Sequence, residues 1–392
     1  MRRAEITRAR STTSVSNRPD IDRVVAVAAR VLSETWRTPV TLRLQDPIRS
    51  EWGRHTLVRC DVDGARATDT PTVVVKAAVE RNGAIFNEWA ALRWLRRVDA
   101  VSGLVPELYA GDVATELIVL EDVGTGPLLR RVLHTRPEWA TEALCESMRL
   151  LGRVHAATRG RSDDLAATRA GLPPGPPPPA IAIAPEALTL EMRSWRPVPE
   201  SVREEITLAA ETMRPEPEVA ALTFHDVCPP NRVVTPTGVR AVDLEMAGFR
   251  HPMIDAAYAV IGHLRCNDGL VIPPPIRRRM TEAYVGAISS GYPEYADPDR
   301  FGRDLVGATV VWFADLLRRF GAAARRDRTV GFFRTSARQR VLAAIDVLDA
   351  VTTASSRTTA IGAWAAALRN DMSAAWGAVP RLATFPGLES PT

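Results

Sequence analysis

The chain has 392 residues, 46% of them hydrophobic and 24% charged, with a formal charge of +4. These are globular values, with length enough for one large domain or two lobes, and they exclude fibrous and low-complexity classes. The mild basicity favours anionic ligands without implying nucleic acid, and no run of eighteen apolar residues is present to span a membrane.

The first stretch, to about Asp20, is polar and rich in Arg, Ser and Thr; it reads as a disordered tail and lacks the apolar core of a signal peptide. Behind Asp20, a natural N-cap, a helix is predicted from about Ile21 to Ser33. Strands follow at Val40–Leu44, His55–Val62 and Thr72–Ala77, then a helix from Ile85 to about Arg97, then strands at Leu104–Ala110 and Glu116–Leu120. This order predicts a small antiparallel sheet with a single helix packed on it. Glu121-Asp122-Val123-Gly124 ends the sheet in a turn-rich hinge.

From there the chain reads as helical. Trp139–Thr158 carries Leu144, Met148, Leu151 and His155 on one face, so His155 reads as a packed, hydrogen-bonded core residue. A proline tract at Leu172–Pro179 reads as a stiff connector. Leu222–Val234 and Val239–Asp243 read as a strand-loop-strand pair, and helices rich in Ala and Arg follow from about Asp255. The arginine-dense segment Arg318–Arg340 reads as a solvated helical face rather than a nucleic-acid arm, which would normally bring aromatic interleaving and a larger net charge. Cys60, Cys145, Cys228 and Cys266 are widely spaced, with no Cys-x-x-Cys. They suggest neither a zinc site nor a disulfide framework, and they fit a reducing cytoplasm.

Two features carry chemistry. Lysine occurs once, at Lys76, against 49 arginines, so this position calls for a compact ammonium rather than a planar fork. Lys76 closes the β-branched run Thr72-Val73-Val74-Val75, and Glu88 shares a helical face with Ile85, Leu92 and Leu95. A carboxylate on an apolar face needs a cation, which makes the two a natural pair. The second feature is Phe224-His225-Asp226-Val227-Cys228-Pro229-Pro230-Asn231, with Asp243 twelve residues further on. Asn231 and Asp243 on neighbouring strand ends can hold Mg²⁺, leaving Asp226 to meet a hydroxyl. Phosphoryl transfer asks for a metal on the phosphates, a cation on the inner phosphates and a carboxylate orienting the nucleophile.

The Asp-x4-Asn run followed by an Asp on the next strand resembles the motif of the aminoglycoside phosphotransferase and choline kinase group, and the likeness extends over about residues 40–320. Lys76, Glu88, Leu120-Glu121-Asp122, Leu151–Ala157 and His251–Ala257 stand in the matching order. The resemblance implies an α+β, two-lobed protein-kinase-like fold: a tail over 1–20, a nucleotide-binding lobe with a small antiparallel sheet over 21–123, and a mainly helical catalytic and acceptor-binding lobe over 124–392. It implies that Lys76, held by Glu88, contacts the α- and β-phosphates of ATP or GTP. Asp226 would orient or deprotonate the acceptor hydroxyl, and Asn231 and Asp243 would bind Mg²⁺. Ser50 in the loop Ser50-Glu51-Trp52-Gly53 would cover the phosphates, and the backbone near Asp122 and Val123 would take the base.

Two departures stand out: Phe224 occupies the place of the family's loop histidine, and the phosphate loop has a single glycine. Asp255 reads as a brace for the loop backbone, Glu245 as a surface carboxylate or a contact to metal-bound water, and His263, Arg265 and Cys266 as residues near the acceptor. The implied activity is Mg²⁺-dependent transfer of the γ-phosphate to a hydroxyl of a small molecule of antibiotic, sugar or amino-alcohol type. The arginine-rich helices speak against a polycationic aminoglycoside. The proline-bordered stretch of about residues 171–199 is placed to shape the acceptor site. The alternative is a nucleotide-binding pseudokinase with a scaffold role. Expected partners are a nucleotide and a small-molecule acceptor, without nucleic acid or membrane.

Overall fold

The computed structural model describes residues 20–48, 53–64, 69–177, 181–329, 335–355 and 358–389. The expected disordered tail up to residue 19 and the phosphate-loop residue Ser50 lie outside them. The chain forms two compact units, one through Ile85 plus Leu108–Asp122 and the other comprising Phe86–Glu107 and Val123–Thr392.

In the first unit, helix α1 (Ile21–Trp36) starts where the Asp20 carboxylate accepts the Asp22 N–H at 3.1 Å. It ends at Arg37, which takes a left-handed conformation and donates its N–H to Ser33. Val24, Ala28, Val31 and Leu32 recur at helical spacing and are all buried. They pack on a five-stranded sheet of β1 (Val40–Ile48), β2 (His55–Gly64), β3 (Thr72–Ala78), β4 (Leu108–Asp112) and β5 (Leu117–Glu121), ordered β1-β2-β3-β5-β4 with every pair antiparallel. The helix packed on the sheet is therefore α1, not the helix that lies between the strands in sequence. The latter, α2 (Ile85–Leu95), groups almost entirely with the second unit. The strand expected from Leu104 begins at Leu108, because Leu104 and Val105 spend their carbonyls on Ala241 N–H and the Arg240 guanidinium in the second unit.

The second unit continues with α3 (Leu129–Thr135), α4 (Pro137–Thr158), α5 (Ser162–Ala170), α6 (Pro185–Arg193) and α7 (Glu200–Thr212). Four short strands follow: β6 (Ala221–Thr223), β7 (Arg232–Thr235), β8 (Gly238–Ala241) and β9 (Gly248–Arg250). The expected strand-loop-strand pair resolves into two separate ladders, β6 with β9 and β7 with β8. Helices α8 (Met253–Ala256), α9 (Pro274–Ile288), α10 (Pro298–Arg325), α11 (Ala337–Thr353) and α12 (Thr359–Trp376) complete it. Helix α4 packs on α9, where a Cβ at Gly152 would come within 2.9 Å of the Tyr284 carbonyl, so glycine permits the close approach. Helix α10 packs on α6, α7 and α11, and α11 packs on α12. A Ser336–Gln339 capping box starts α11. The architecture is α+β, a small antiparallel sheet with a mainly helical remainder, as expected. No helix among the described residues is long and apolar enough to cross a membrane.

Candidate active site

Lys76 lies on β3 in the first unit, opposite Leu57 of β2 and Ile118 of β5, and is 3% exposed. An ammonium so deep in a three-strand ladder is costly unless engaged, which supports a specific role. Asp122, also in this unit, holds Arg59 in a two-pronged ion pair at 2.7 and 3.0 Å. Its side chain is committed to β2.

In the second unit the residues from Phe224 to Asn231 link the two small ladders. Asn231 closes this loop in a turn, donating its N–H to the Cys228 carbonyl at 2.9 Å, and accepts the Val242 N–H at 3.0 Å. That last bond extends the β7–β8 register by one step and sets Asp243 beside Asn231. Asp226 accepts the Cys228 N–H at 3.2 Å, and burial followed by the nearby Asp243 charge pushes its carboxyl above the usual range. Asp226, Asn231 and Asp243 are thus brought together. His225 and Asp243 both hold positive φ, 62° and 64°, a conformation that costs a non-glycine residue about 1 kcal/mol or more.

Two anchors hold this loop. The Asp255 carboxylate accepts the N–H groups of Phe224 at 2.6 Å and His225 at 3.0 Å, which is the brace the sequence suggested. Burial alone would raise the Asp255 carboxyl, but His155, 3.5 Å away, and the two N–H donors outweigh it and hold it below its ordinary value. His155 is fully buried and meets the Tyr284 hydroxyl at 2.8 Å, as a packed core histidine should. The Tyr258 hydroxyl provides the second anchor, donating to the His225 carbonyl at 2.9 Å. Burial, with Arg250 and Arg265 nearby, depresses His225 to about 3, so its imidazole stays neutral at neutral pH.

Glu88 on α2 is 1% exposed and accepts the N–H of Leu244, the residue after Asp243, at 3.2 Å. It therefore fixes the main chain beside Asp243. Glu245 is 8% exposed, so its expected surface role is corrected.

Sequence reading missed several residues that shape this site. Arg232 is fully buried beneath the loop, with its guanidinium 5.3 Å from the Phe224 ring centre and a bond to the Asn231 carbonyl at 2.8 Å. Burial lowers it to about 10, which still leaves it charged at neutral pH. Phe224 thus carries a cation on its face where a histidine would offer ring nitrogens. Its signal was an arginine opening an apolar strand. Of the residues the sequence reading placed near the acceptor, Arg265 stacks on Trp312 at 4.2 Å and pairs with Asp315 at 2.8 Å, and His263 bonds the Tyr258 carbonyl at 2.7 Å. Arg340 is fully buried rather than solvated, with its guanidinium on the carbonyls of Leu264, Cys266 and Asn267. Cys228 and Cys266, 38 residues apart, are disulfide-bonded with Cα atoms 5.6 Å apart, which corrects the expectation of unpaired thiols. Spacing rules find local Cys pairs and miss pairs that tertiary folding brings together. The described start of the proline tract is tied to α2, Asn87 donating to the Pro176 carbonyl at 3.0 Å.

Among the described residues no group of three His, Cys, Asp or Glu could hold a metal. Asn231 and Asp243 nonetheless offer the hard oxygen donors that Mg²⁺ takes alongside phosphate and water. The unfavourable Asp226–Asp243 proximity is what a divalent cation would relieve.

A family model described as "Phosphotransferase enzyme family" matches residues 65–301, over half of the chain and including Lys76, Glu88, Asp226, Asn231 and Asp243. The chain belongs to the phosphotransferase enzyme family. Solved structures similar to this phosphotransferase include a choline/ethanolamine kinase family protein from Mesorhizobium loti (15% identity, 83% of this chain and 93% of that one, TM-score 0.47). An aminoglycoside phosphotransferase from Alicyclobacillus acidocaldarius is also similar (14%, 84% and 93%, 0.46). So is a macrolide 2'-phosphotransferase from Brachybacterium faecium (16%, 82% and 97%, 0.47). These likenesses are too distant to speak for the substrate. A search of curated proteins finds no match.

Proposed function

We propose that this phosphotransferase moves the γ-phosphate of ATP or GTP to a hydroxyl of a small molecule, with Mg²⁺ as cofactor. The observation that carries the reading is the convergence of Asp226, Asn231 and Asp243 at the end of the β7–β8 ladder, with Asp226 biased toward taking up a proton.

In this reading Asp226 accepts the acceptor's hydroxyl proton as that oxygen bonds to phosphorus and the bond to the bridging oxygen of the nucleotide breaks. Asn231 and Asp243 would hold Mg²⁺, which when bound neutralises charge on the phosphates. Lys76 contacts the α- and β-phosphates, and main-chain groups at Asp122 and Val123 take the base. Glu88 fixes the main chain next to Asp243. Asp255 and Tyr258 keep the loop from drifting as the proton moves. The cations Arg265 and Arg232 act on Asp226 from the same unit, which favours a neutral or anionic acceptor over a polycation. No observation favours a scaffold role.

The test is turnover with ATP and with GTP, each with Mg²⁺, across aminoglycosides, macrolides, sugars and amino alcohols, with Asp226→Asn alongside. Acceptor-dependent phosphate transfer that Asp226→Asn abolishes is expected. Tight Mg²⁺-nucleotide binding without transfer to any acceptor would count for the pseudokinase.

A further inference from the structure

Cys228 lies between Asp226 and Asn231, and its main chain positions both. Its N–H donates to the Asp226 carboxylate and its carbonyl accepts the Asn231 N–H. Its sulfur is bonded to Cys266, in the segment 264–269. That segment is a firm anchor. Arg340, from α11, donates to the carbonyls of Leu264, Cys266 and Asn267, and Cys266 donates its own N–H to the His263 carbonyl. Gly269 at φ +58° completes the fit, because a Cβ there would fall 2.3 Å from the Arg340 guanidinium carbon. The chain from α11 through Arg340, the 264–269 segment and the bridge therefore ends on the carboxylate of Asp226.

We propose that the Cys228–Cys266 pair is a thiol–disulfide exchange site that sets the order of the loop carrying Asp226, the bridged form being the ordered one. Cys228 is partly exposed, whereas Cys266 is 4% exposed. Exchange therefore begins at the Cys228 sulfur. A thiolate of an external dithiol attacks it, and the S–S bond breaks with Cys266 leaving as thiolate. The second thiol of the dithiol then resolves the mixed disulfide. Two electrons and two protons pass from the dithiol to the protein, giving two cysteine thiols and one oxidised dithiol. Once the bridge is open, Cys228 loses its tie to that segment, and the two groups it positions loosen together. The consequence for rate rests on the phosphotransfer reading above, whereas the consequence for loop order does not.

The background thiols leave the test clean. Cys60 and Cys145 are buried, and burial pushes Cys60 up to about 11 and raises Cys145, so neither should alkylate in the folded protein. The experiment treats the purified full chain with dithiothreitol or with oxidised dithiothreitol. It reads iodoacetamide labelling by intact mass, amide hydrogen exchange across residues 224–231, and steady-state turnover. A label at Cys228 is expected only after reduction, with faster exchange over Asp226–Asn231. A fall in kcat of about tenfold should be reversed on reoxidation, because small misplacements of catalytic groups cost that much or more. Cys266→Ser should match the reduced protein in exchange with or without dithiol, and the wild-type comparison stands without it. Absence of new thiols after reduction, or identical exchange in the two states, would overturn the proposal. Changed exchange with no turnover in either state would instead count against the phosphotransfer reading and leave the switch supported.

Discussion

Asp255→Asn tests whether the loop is held as the geometry implies. The carboxylate offers an oxygen to each of two buried N–H groups, Phe224 at 2.6 Å and His225 at 3.0 Å. The amide offers one oxygen and one NH₂, so one N–H loses its acceptor, which costs about 1–3 kcal/mol. The remaining bond loses its ionic character, adding about 1 kcal/mol. A total of about 2–4 kcal/mol should lower the melting temperature of the second unit by about 5–12 °C. The sign with pH is fixed by the direction of the shift. The Asp255 carboxyl is held below its ordinary value of 3.8, so its stabilisation is complete above that value and is lost as pH falls through the lower folded-state value. The gap between wild type and variant should be constant from about pH 5 to 8 and should close in acid below about pH 4. Differential scanning calorimetry across that range reads it, and turnover at pH 7 should fall mainly in kcat, with nucleotide KM little changed. A gap under 2 °C at neutral pH, or one that narrows as pH rises, would refute the brace.

Asp226→Asn should abolish transfer and, because the carboxyl is raised and its charge therefore disfavoured in the fold, leave the melting temperature at pH 7 unchanged or higher; a drop of several degrees by calorimetry would contradict that. Lys76→Arg should lose most nucleotide affinity by isothermal titration, since a planar fork does not replace an ammonium at a 3% exposed strand position. Wild-type affinity in that variant would remove Lys76 from the phosphates. Arg340→Met should destabilise strongly, by about 2–5 kcal/mol in urea unfolding, because buried carbonyls of Leu264, Cys266 and Asn267 lose their donor. Near-wild-type stability would mean that water replaces the guanidinium.

What could be read from sequence and what could not divide along a physical line. β3 was legible because a buried central strand writes itself as a continuous β-branched run, and Lys76 stood out against that run and against an arginine-rich chain. The loop from Phe224 to Asn231 was legible as short-range chemistry, with acceptors at fixed spacing around prolines. The partner of each helix was not. Both α1 and α2 carry apolar residues at helical spacing, and periodicity says that a face is buried without saying against what. Proximity in sequence pointed to α2 for the sheet, whereas the apolar stripe of α1 fills that place. The arginines failed for a related reason. An arginine is solvated by default, and Arg232 and Arg340 are buried because main-chain carbonyls converge on them from segments far off in sequence. The Cys228–Cys266 bond has the same origin, since the segment Arg340 holds is the one that brings Cys266 to Cys228. The chemistry of this site was therefore readable where it is local and hidden where carbonyls and thiols from distant segments hold it in place, and those hidden contacts decide how rigidly Asp226 is presented.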